Sequence, residues 1–474
     1  MSNASSHGVT MVMQGRLSVQ LVLPSHNSEE TLVSKQDEKL LQVSGDATDR
    51  YAEGPWRAWS TVLGAWLVQA CAVGMLSSFG VFQEFYTTTW LPTSSASAIS
   101  WIGSIQLFLE LFLSPIGGEL MDRGYFRRIV ISGCVIFVFS LFMLSLSGQH
   151  YYQILLSQGI GMGMGVGLLF LPTAVVPIRH FRSGHAFVIG LVDSSVSLGG
   201  LIFSIALNYL IHGPVGFQWG VRIAGFICLG CFILGCGMMT MPKRRFEQVE
   251  LEPTTGTTSE HPSWITVLGT AKTDWPYIFA VAQGFVMCLG SFVPPFYLQL
   301  FSQLHGASGQ TAFYGLAVLN VTGVFGRIIP NYLADRFGVM NVYIPCLTIC
   351  GGLCFAMLGA GTTEGLFLFA VFYGFFFGAT NGMYLPLINA VSSRHPDHLW
   401  KRCGLSFIPP AIATLVGPPI AGAILGPNYI WWKGTLFAAL TILAAVGLVV
   451  MSQQMMVRSQ TAKAVDVDRS NQKS

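Results

Sequence analysis

Along most of its length the chain alternates apolar stretches of about 20 residues with short polar breaks rich in Gly and Arg, and about 20 residues of α-helix suffice to cross the ~30 Å hydrocarbon core of a bilayer. Each stretch therefore predicts a membrane-spanning helix. The spans fall at 61–84, 98–120, 129–147, 151–176, 186–211, 219–241, 274–300, 311–333, 342–361, 365–389, 402–425 and 433–453. The segment 242–273 is polar and rich in Pro and Thr, and it divides the spans into six and six. The expected fold class is an all-α polytopic membrane protein of 12 transmembrane helices in two six-helix bundles. Its expected parts are a disordered cytosolic tail (1–60), a first bundle (61–241), a cytoplasmic linker (242–273), a second bundle (274–453) and a cytosolic C-terminal tail (454–474).

Composition agrees with this pattern. Of 474 residues 52% are hydrophobic and only 10% charged, where soluble domains carry about 25% charged residues. Twelve spans leave only tails and short loops, too little for a soluble catalytic domain. The net charge of +3 is too small to suggest nucleic acid, but its placement is informative. Thirteen Lys and Arg sit in alternate loops: Arg123, Arg127, Arg128, Arg179, Arg182, Lys243, Arg244, Arg245, Lys272, Arg336, Arg394, Lys401 and Arg402. The opposite loops hold only Arg222 and Lys433, and Arg327 falls inside span 8. The positive-inside rule then predicts that both termini are cytoplasmic. Residues 1–50 have no sustained apolar run and read as a polar tail rather than a cleaved signal peptide.

Cofactor and metal chemistry find no support. The ten Cys lie in or beside apolar spans with no His or carboxylate near them, as packing residues do. Gly159, Gly161, Gly163, Gly165 and Gly167 sit inside an apolar helix, where small residues allow close packing, and not in the polar strand-to-helix loop of a dinucleotide site. A phosphate loop ending in Gly-Lys-Ser/Thr is absent, which argues against an ATP-driven pump. The ten His are scattered over tails and loops, so a membrane enzyme is not indicated.

A loop signal repeats between the two halves. GGELMDRGYFRR follows span 2 and NYLADRFG follows span 8, so Gly118, Asp122 and Arg123 are echoed by Asp335, Arg336 and Gly338. A carboxylate beside a tight Gly turn can accept from backbone N–H groups at a neighbouring helix N-terminus, and the pair is expected to form a latch between helices.

With these loops the sequence resembles the Major Facilitator Superfamily, and within it the monocarboxylate transporter family, especially its fungal members. The resemblance is carried by EGPWRAW (Glu53 onward), SFGVFQ (Ser78 to Gln83), SWIGSIQ (Ser100 to Gln106), QGIGMGMG (Gln158 to Gly165), SLGG (Ser197 to Gly200), GRIIPNYLADRFG (Gly326 to Gly338) and GPPIAG (Gly417 to Gly422). It implies a rocker-switch transporter with a central solute site. Some family residues are replaced. Ser77 stands where animal members have a Lys, Gly323 where they have an Asp four residues before the span 8 Arg, and Leu155 where many proton-coupled members have an Arg.

Ionisable residues at membrane depth cost roughly 2.5–3.5 kcal/mol each and normally face a cavity. Three occur here: Glu110, Asp193 and Arg327. Glu110 follows Gln106 by four residues, so both are expected on one helical face, either lining the cavity or bonding a neighbouring helix. Arg327 occupies a position that the family uses for substrate or gate. The resemblance implies that spans 5 and 8 face each other, and Asp193 and Arg327 lie at matching depths, so they are expected to pair as a gate. Helix breakers at Pro172, Pro294–Pro295, Pro409–Pro410 and Pro418–Pro419 suit either flexible or simply kinked helices. Tyr297, Phe375, Phe376, Phe377 and Tyr384 are candidate walls for a planar solute.

The expected function is secondary active transport of a small organic solute by alternating access, with protons as a candidate coupling ion, the lipid bilayer as surroundings, no cofactor, and a monomer in the plasma membrane as the working unit. Efflux of a fungal secondary metabolite is favoured because the missing charges at Ser77 and Gly323 suit a bulkier solute than lactate. Uptake of a monocarboxylate or vitamin-like acid is the alternative, and a transceptor that only senses its ligand is the alternative of another class.

Overall fold

A segment in lipid must satisfy its backbone polar groups internally, which leaves the helix as the economical choice for isolated apolar runs. The computed structural model of this chain describes residues 55–92, 94, 96–181, 183–241, 264–393, 399–426 and 429–471. It contains twelve membrane-length helices: α1 (Pro55–Trp90), α2 (Ala98–Met121), α3 (Phe126–Leu146), α4 (Tyr151–His180), α5 (His185–His212), α6 (Gly216–Met238), α7 (Trp275–Leu304), α8 (Gly309–Phe337), α9 (Val339–Gly359), α10 (Thr363–Ser392), α11 (Leu399–Leu425) and α12 (Trp431–Asn471). The number and order of spans are those expected from the apolar pattern.

Several element ends differ from those expected, three of them instructively. The first helix begins at Pro55, six residues before the expected boundary, with Pro at a first-turn position where its missing N–H costs nothing. The last helix runs on to Asn471 instead of stopping near 453, because neither Gly nor Pro follows Gly447 to break it. Part of the expected linker, Trp264–Thr273, is itself a short helix, while residues 242–263 lie outside the described residues.

The helices gather into two sets of six. In the first, α1 packs on α5 and α6, and α3 on α4 and α6; in the second, α7 packs on α11 and α12, α8 on α10, and α9 on α12. The sets join along α5 against α8 and α2 against α11. Glycine decides how closely these pairs approach. A Cβ on Gly190 of α5 would lie 2.2 Å from the Arg327 carbonyl of α8, and one on Gly326 would lie 1.9 Å from the Phe375 carbonyl of α10. No side chain fits at either point, so the backbones touch.

Several spans are broken. The interruptions fall at Ser78, Leu113, Phe292, Met383 and Phe407. Two of them share a sequence, Ser-Phe-Val-Pro-Pro in α7 (from Ser291) and Ser-Phe-Ile-Pro-Pro in α11 (from Ser406). The second Pro of each, Pro295 or Pro410, has no N–H for the carbonyl four residues back, which is that of Ser291 or Ser406. A tyrosine hydroxyl replaces the missing donor in both: Tyr373 donates to the Ser291 carbonyl at 2.8 Å, and Tyr384 to the Ser406 carbonyl at 2.8 Å.

Candidate functional site

A cavity of about 250 Å³ lies between the two sets of helices. Its lining runs along α1 from Val73 to Gln83, α2 from Gly103 to Leu111, α5 from Asp193 to Ser197, α7 from Met287 to Gln299 and α8 from Leu316 to Arg327. Chain direction fixes its depth. These stretches run from Asp193 and Arg327, about a third of the way in from the arginine-rich ends of α5 and α8, to Gln83 and Gln299 near the opposite ends of α1 and α7.

The three ionisable residues expected at membrane depth all line this cavity. Arg327 and Asp193 meet: Nη1 of Arg327 donates to Oδ2 of Asp193 at 2.9 Å and to the Asp193 backbone carbonyl at 3.0 Å. The pair is largely buried, with 9% of the Arg side chain and 18% of the Asp side chain exposed. A buried charge left unpaired is costly, so each residue depends on the other. Gly382 of α10 makes the room, since a Cβ there would lie 3.0 Å from Oδ2 of Asp193 and 3.2 Å from Cγ of Arg327. Beneath the pair, Nδ2 of Asn331 donates to the Arg327 carbonyl at 2.7 Å.

Glu110 is buried, at 6% exposure, on the same cavity. Gln106 corrects the expectation of a shared face. It is 1% exposed and absent from the cavity wall, and it faces α4, where a Cβ on Gly163 would lie 3.2 Å from its Cα. Residues four apart are offset by about 40° around a helix, and the wall follows Gly103, Leu107, Glu110 and Leu111 instead. Of the candidate aromatics, Phe377 and Tyr384 line the cavity, joined by Phe79, Phe170, Phe292, Phe296 and Phe407. Tyr297 instead donates to the Pro418 carbonyl at 3.0 Å.

The polar part of the wall includes two amides. Asn320 donates its amide to the Leu316 carbonyl at 3.2 Å, and Asn381 donates to the Phe377 carbonyl at 2.9 Å. One N–H of each amide is tied back to its own helix, which leaves the oxygen as an acceptor and the second N–H as a donor on the cavity wall. Ser77 likewise gives its hydroxyl proton to the Val73 carbonyl at 3.0 Å.

At the arginine-rich face the loop after α8 reaches across to the first set of helices. Asp335 of α8 accepts from the backbone N–H of Ala186 at 3.0 Å and of Phe187 at 2.7 Å, the first turn of α5. A carboxylate of the second set thereby caps a helix of the first, where the helix dipole favours it. Gly338, at φ +89°, turns the chain from α8 into α9. Gly118 packs on α11, where a Cβ would meet the Trp400 carbonyl at 2.8 Å. The side chain of Asp122 lies outside the described residues. The arginines do not bridge helices as a latch would: Arg123 pairs with Glu119 one turn back, and Arg336 stacks over Tyr332 of its own helix. Both are long side chains on an exposed turn, where the nearest partner is on the same helix. The α2–α11 side is closed by Arg179 of α4 over the ring of Trp400 at 5.1 Å and by Lys401, whose Nζ is 3.9 Å from Glu119.

Twelve spans in two sets of six, with a largely apolar cavity that holds a few charged and polar groups where the sets meet, have the architecture of a membrane carrier. The chain belongs to the Major Facilitator Superfamily, whose family model matches residues 58–399. It is similar to the aspyridones efflux protein apdF of Emericella nidulans, at 35% identity over 83% of this chain and 77% of that protein. It is also similar to the agnestins efflux protein AgnL12 of Paecilomyces divaricatus (34% identical, covering 82% of this chain and 85% of the relative) and to the fujikurins efflux protein of Gibberella fujikuroi (30% identical, 93% of each). A crystal structure of the E. coli fucose:proton symporter shares the fold, with a TM-score of 0.63 at 16% identity over 85% of this chain and 99% of that one. The protein is thus a multi-pass membrane transporter of small organic solutes, a superfamily of carriers and not of enzymes.

Sequence reasoning missed Asn320, Asn381, Tyr373, Tyr384 as a carbonyl donor, and the phenylalanines of the two breaks. The repeated Ser-Phe-x-Pro-Pro was the available signal for the last group.

Proposed function

We propose that this transporter exports a small, ring-bearing secondary metabolite, and that it belongs to the fungal branch of the monocarboxylate-transporter-like carriers. The observation that carries the reading is the cavity itself: aromatic walls, an ion-paired arginine at its inner end, the Glu110 carboxylate and the Asn320 and Asn381 oxygens. Aromatic walls suit a planar ring, and free acceptors suit a solute bearing O–H or N–H donors. The efflux relatives support the outward direction. In this reading the arginine-rich face and both termini are cytoplasmic, and the protein works as a monomer in the plasma membrane. The halves 61–241 and 274–453 rock about the cavity with 242–273 as linker. Asp193–Arg327 and the Asp335 cap hold the cytoplasmic side closed, and both break when the cavity turns inward. Protons are the coupling ion, taken up at Glu110.

Deleting the gene in its host should raise the intracellular to extracellular ratio of at least one aromatic metabolite, and re-expression should restore it. In cells, Asp193→Ala and Arg327→Ala should each reduce export at least tenfold at normal surface level, while the exchanged pair Asp193→Arg with Arg327→Asp recovers part of it. Unchanged metabolite ratios refute the export reading, and full activity in either single variant refutes the gate.

A further inference from the structure

Among the described residues, four arginines of the arginine-rich face are engaged by the protein itself. Arg123 pairs with Glu119, Arg402 with Asp274, Arg179 covers Trp400 and Arg336 covers Tyr332. Three are not. Arg57 in the first turn of α1 and Arg127 and Arg128 in the first turn of α3 have no carboxylate in ion-pair reach among the described residues. They converge on one cleft of about 660 Å³, whose far wall is Thr240 and Met241 at the end of α6.

Two further observations describe what the cleft would hold. The first concerns charge: the α3 N-terminus opens into the cleft, and its N-cap residue, Tyr125, makes no side-chain cap bond there, so N–H groups and the positive end of the helix dipole add to the three guanidiniums. Arg128 is steadied over the Tyr125 ring at 5.2 Å. The second concerns depth. Trp56 and Trp59 in the first turns of α1 and Tyr125 on the cleft wall are 83%, 45% and 43% exposed, aromatics of the kind that mark the boundary between headgroups and hydrocarbon. These aromatics put the ends of α1 and α3, and the cleft between them, at headgroup level.

We propose that this cleft is a binding site for the headgroup of an anionic phospholipid, with the phosphate held by Arg57, Arg127 and Arg128. Guanidinium offers phosphate a two-pronged set of donors, which an ammonium does not. The inference is independent of the solute and of the direction of transport.

The test is native mass spectrometry of the purified full chain, titrated with phosphatidylcholine, phosphatidylserine or phosphatidylinositol 4-phosphate. The anionic lipids should bind at least tenfold more tightly than phosphatidylcholine. At about fivefold per arginine, the triple variant Arg57→Gln, Arg127→Gln, Arg128→Gln should weaken them on the order of a hundredfold. The variant Arg123→Gln with Arg336→Gln, which removes the same kind of charge from occupied sites, should bind as wild type. Should the triple variant fail to fold in phosphatidylcholine, Arg127→Gln alone carries the test with a fivefold expected loss. Equal binding of charged and zwitterionic lipid, or equal losses in the two sets of variants, would overturn the site. Inositol 1,4,5-trisphosphate binding as tightly as the lipid would overturn the lipid in favour of a soluble phosphate.

Discussion

The breaks in α7 and α11 are chemical twins with different surroundings. Each has Ser-Phe-x-Pro-Pro, each frees a serine carbonyl, and each has a tyrosine of α10 to fill the gap. Their phenylalanines both line the cavity, but Phe292 packs edge-on against Phe377 of its own half at 5.5 Å, while Phe407 packs edge-on against Phe170 of the other half at 5.3 Å as well as against Tyr384. The α11 break is thus part of the junction between halves, and the α7 break is internal to one. Identical local chemistry can therefore serve a contact between halves in one helix and a bend within one half in another. Position relative to the interface makes the difference.

The tyrosines offer the largest separation. Tyr384→Phe and Tyr373→Phe each strip one donor from a buried carbonyl, a loss of about 1–3 kcal/mol in stability. Thermal unfolding in detergent should show similar losses for both, whereas transport at matched surface level should fall about tenfold for Tyr384→Phe and only about twofold for Tyr373→Phe, given an interface cost of order 1.4 kcal/mol. Equal transport defects would erase the distinction. A smaller effect comes from restoring the backbone donors. Pro295→Ala and Pro410→Ala each supply the missing N–H, so the matching Tyr→Phe change should cost about 1 kcal/mol less in those backgrounds. Additive costs in a double-mutant cycle would mean that the hydroxyls do not substitute for the proline N–H. Smallest of all, Phe292→Leu and Phe407→Leu keep apolar volume but lose the edge-on ring contact, worth about 0.5–1.5 kcal/mol. Only Phe407→Leu should change the rate of interconversion between the two access states, as read by single-molecule fluorescence.

How much of this was legible beforehand follows from what kind of signal each feature leaves. Span number and order were, because twelve apolar runs have few other fates. The meeting of Asp193 and Arg327 was also readable, since charges at membrane depth are rare and those two stood at matching depth. Gln106 was misjudged because spacing assigns a helical face only to within a quarter turn, and the stripe through Gly103 and Glu110 passes beside it. Asp335 was readable as a cap, but its partner helix was not, because the N–H groups it meets come from 148 and 149 residues away. The tyrosine donors of the proline breaks share that limit. A freed carbonyl is visible in sequence, whereas the hydroxyl that satisfies it arrives from a different helix.

None of the ten cysteines is exposed: eight are buried and Cys231 and Cys236 are half-covered. Thiol reagents confined to water should therefore find little to modify on the intact molecule, and a single engineered thiol stands out without a cysteine-free background. Arg123→Cys in the arginine-rich loops and Gly359→Cys at the opposite ends of the helices make a sidedness ruler of this kind, since both positions are exposed. On whole cells a membrane-impermeant maleimide will tag one and spare the other, and the tagged one names the outer face.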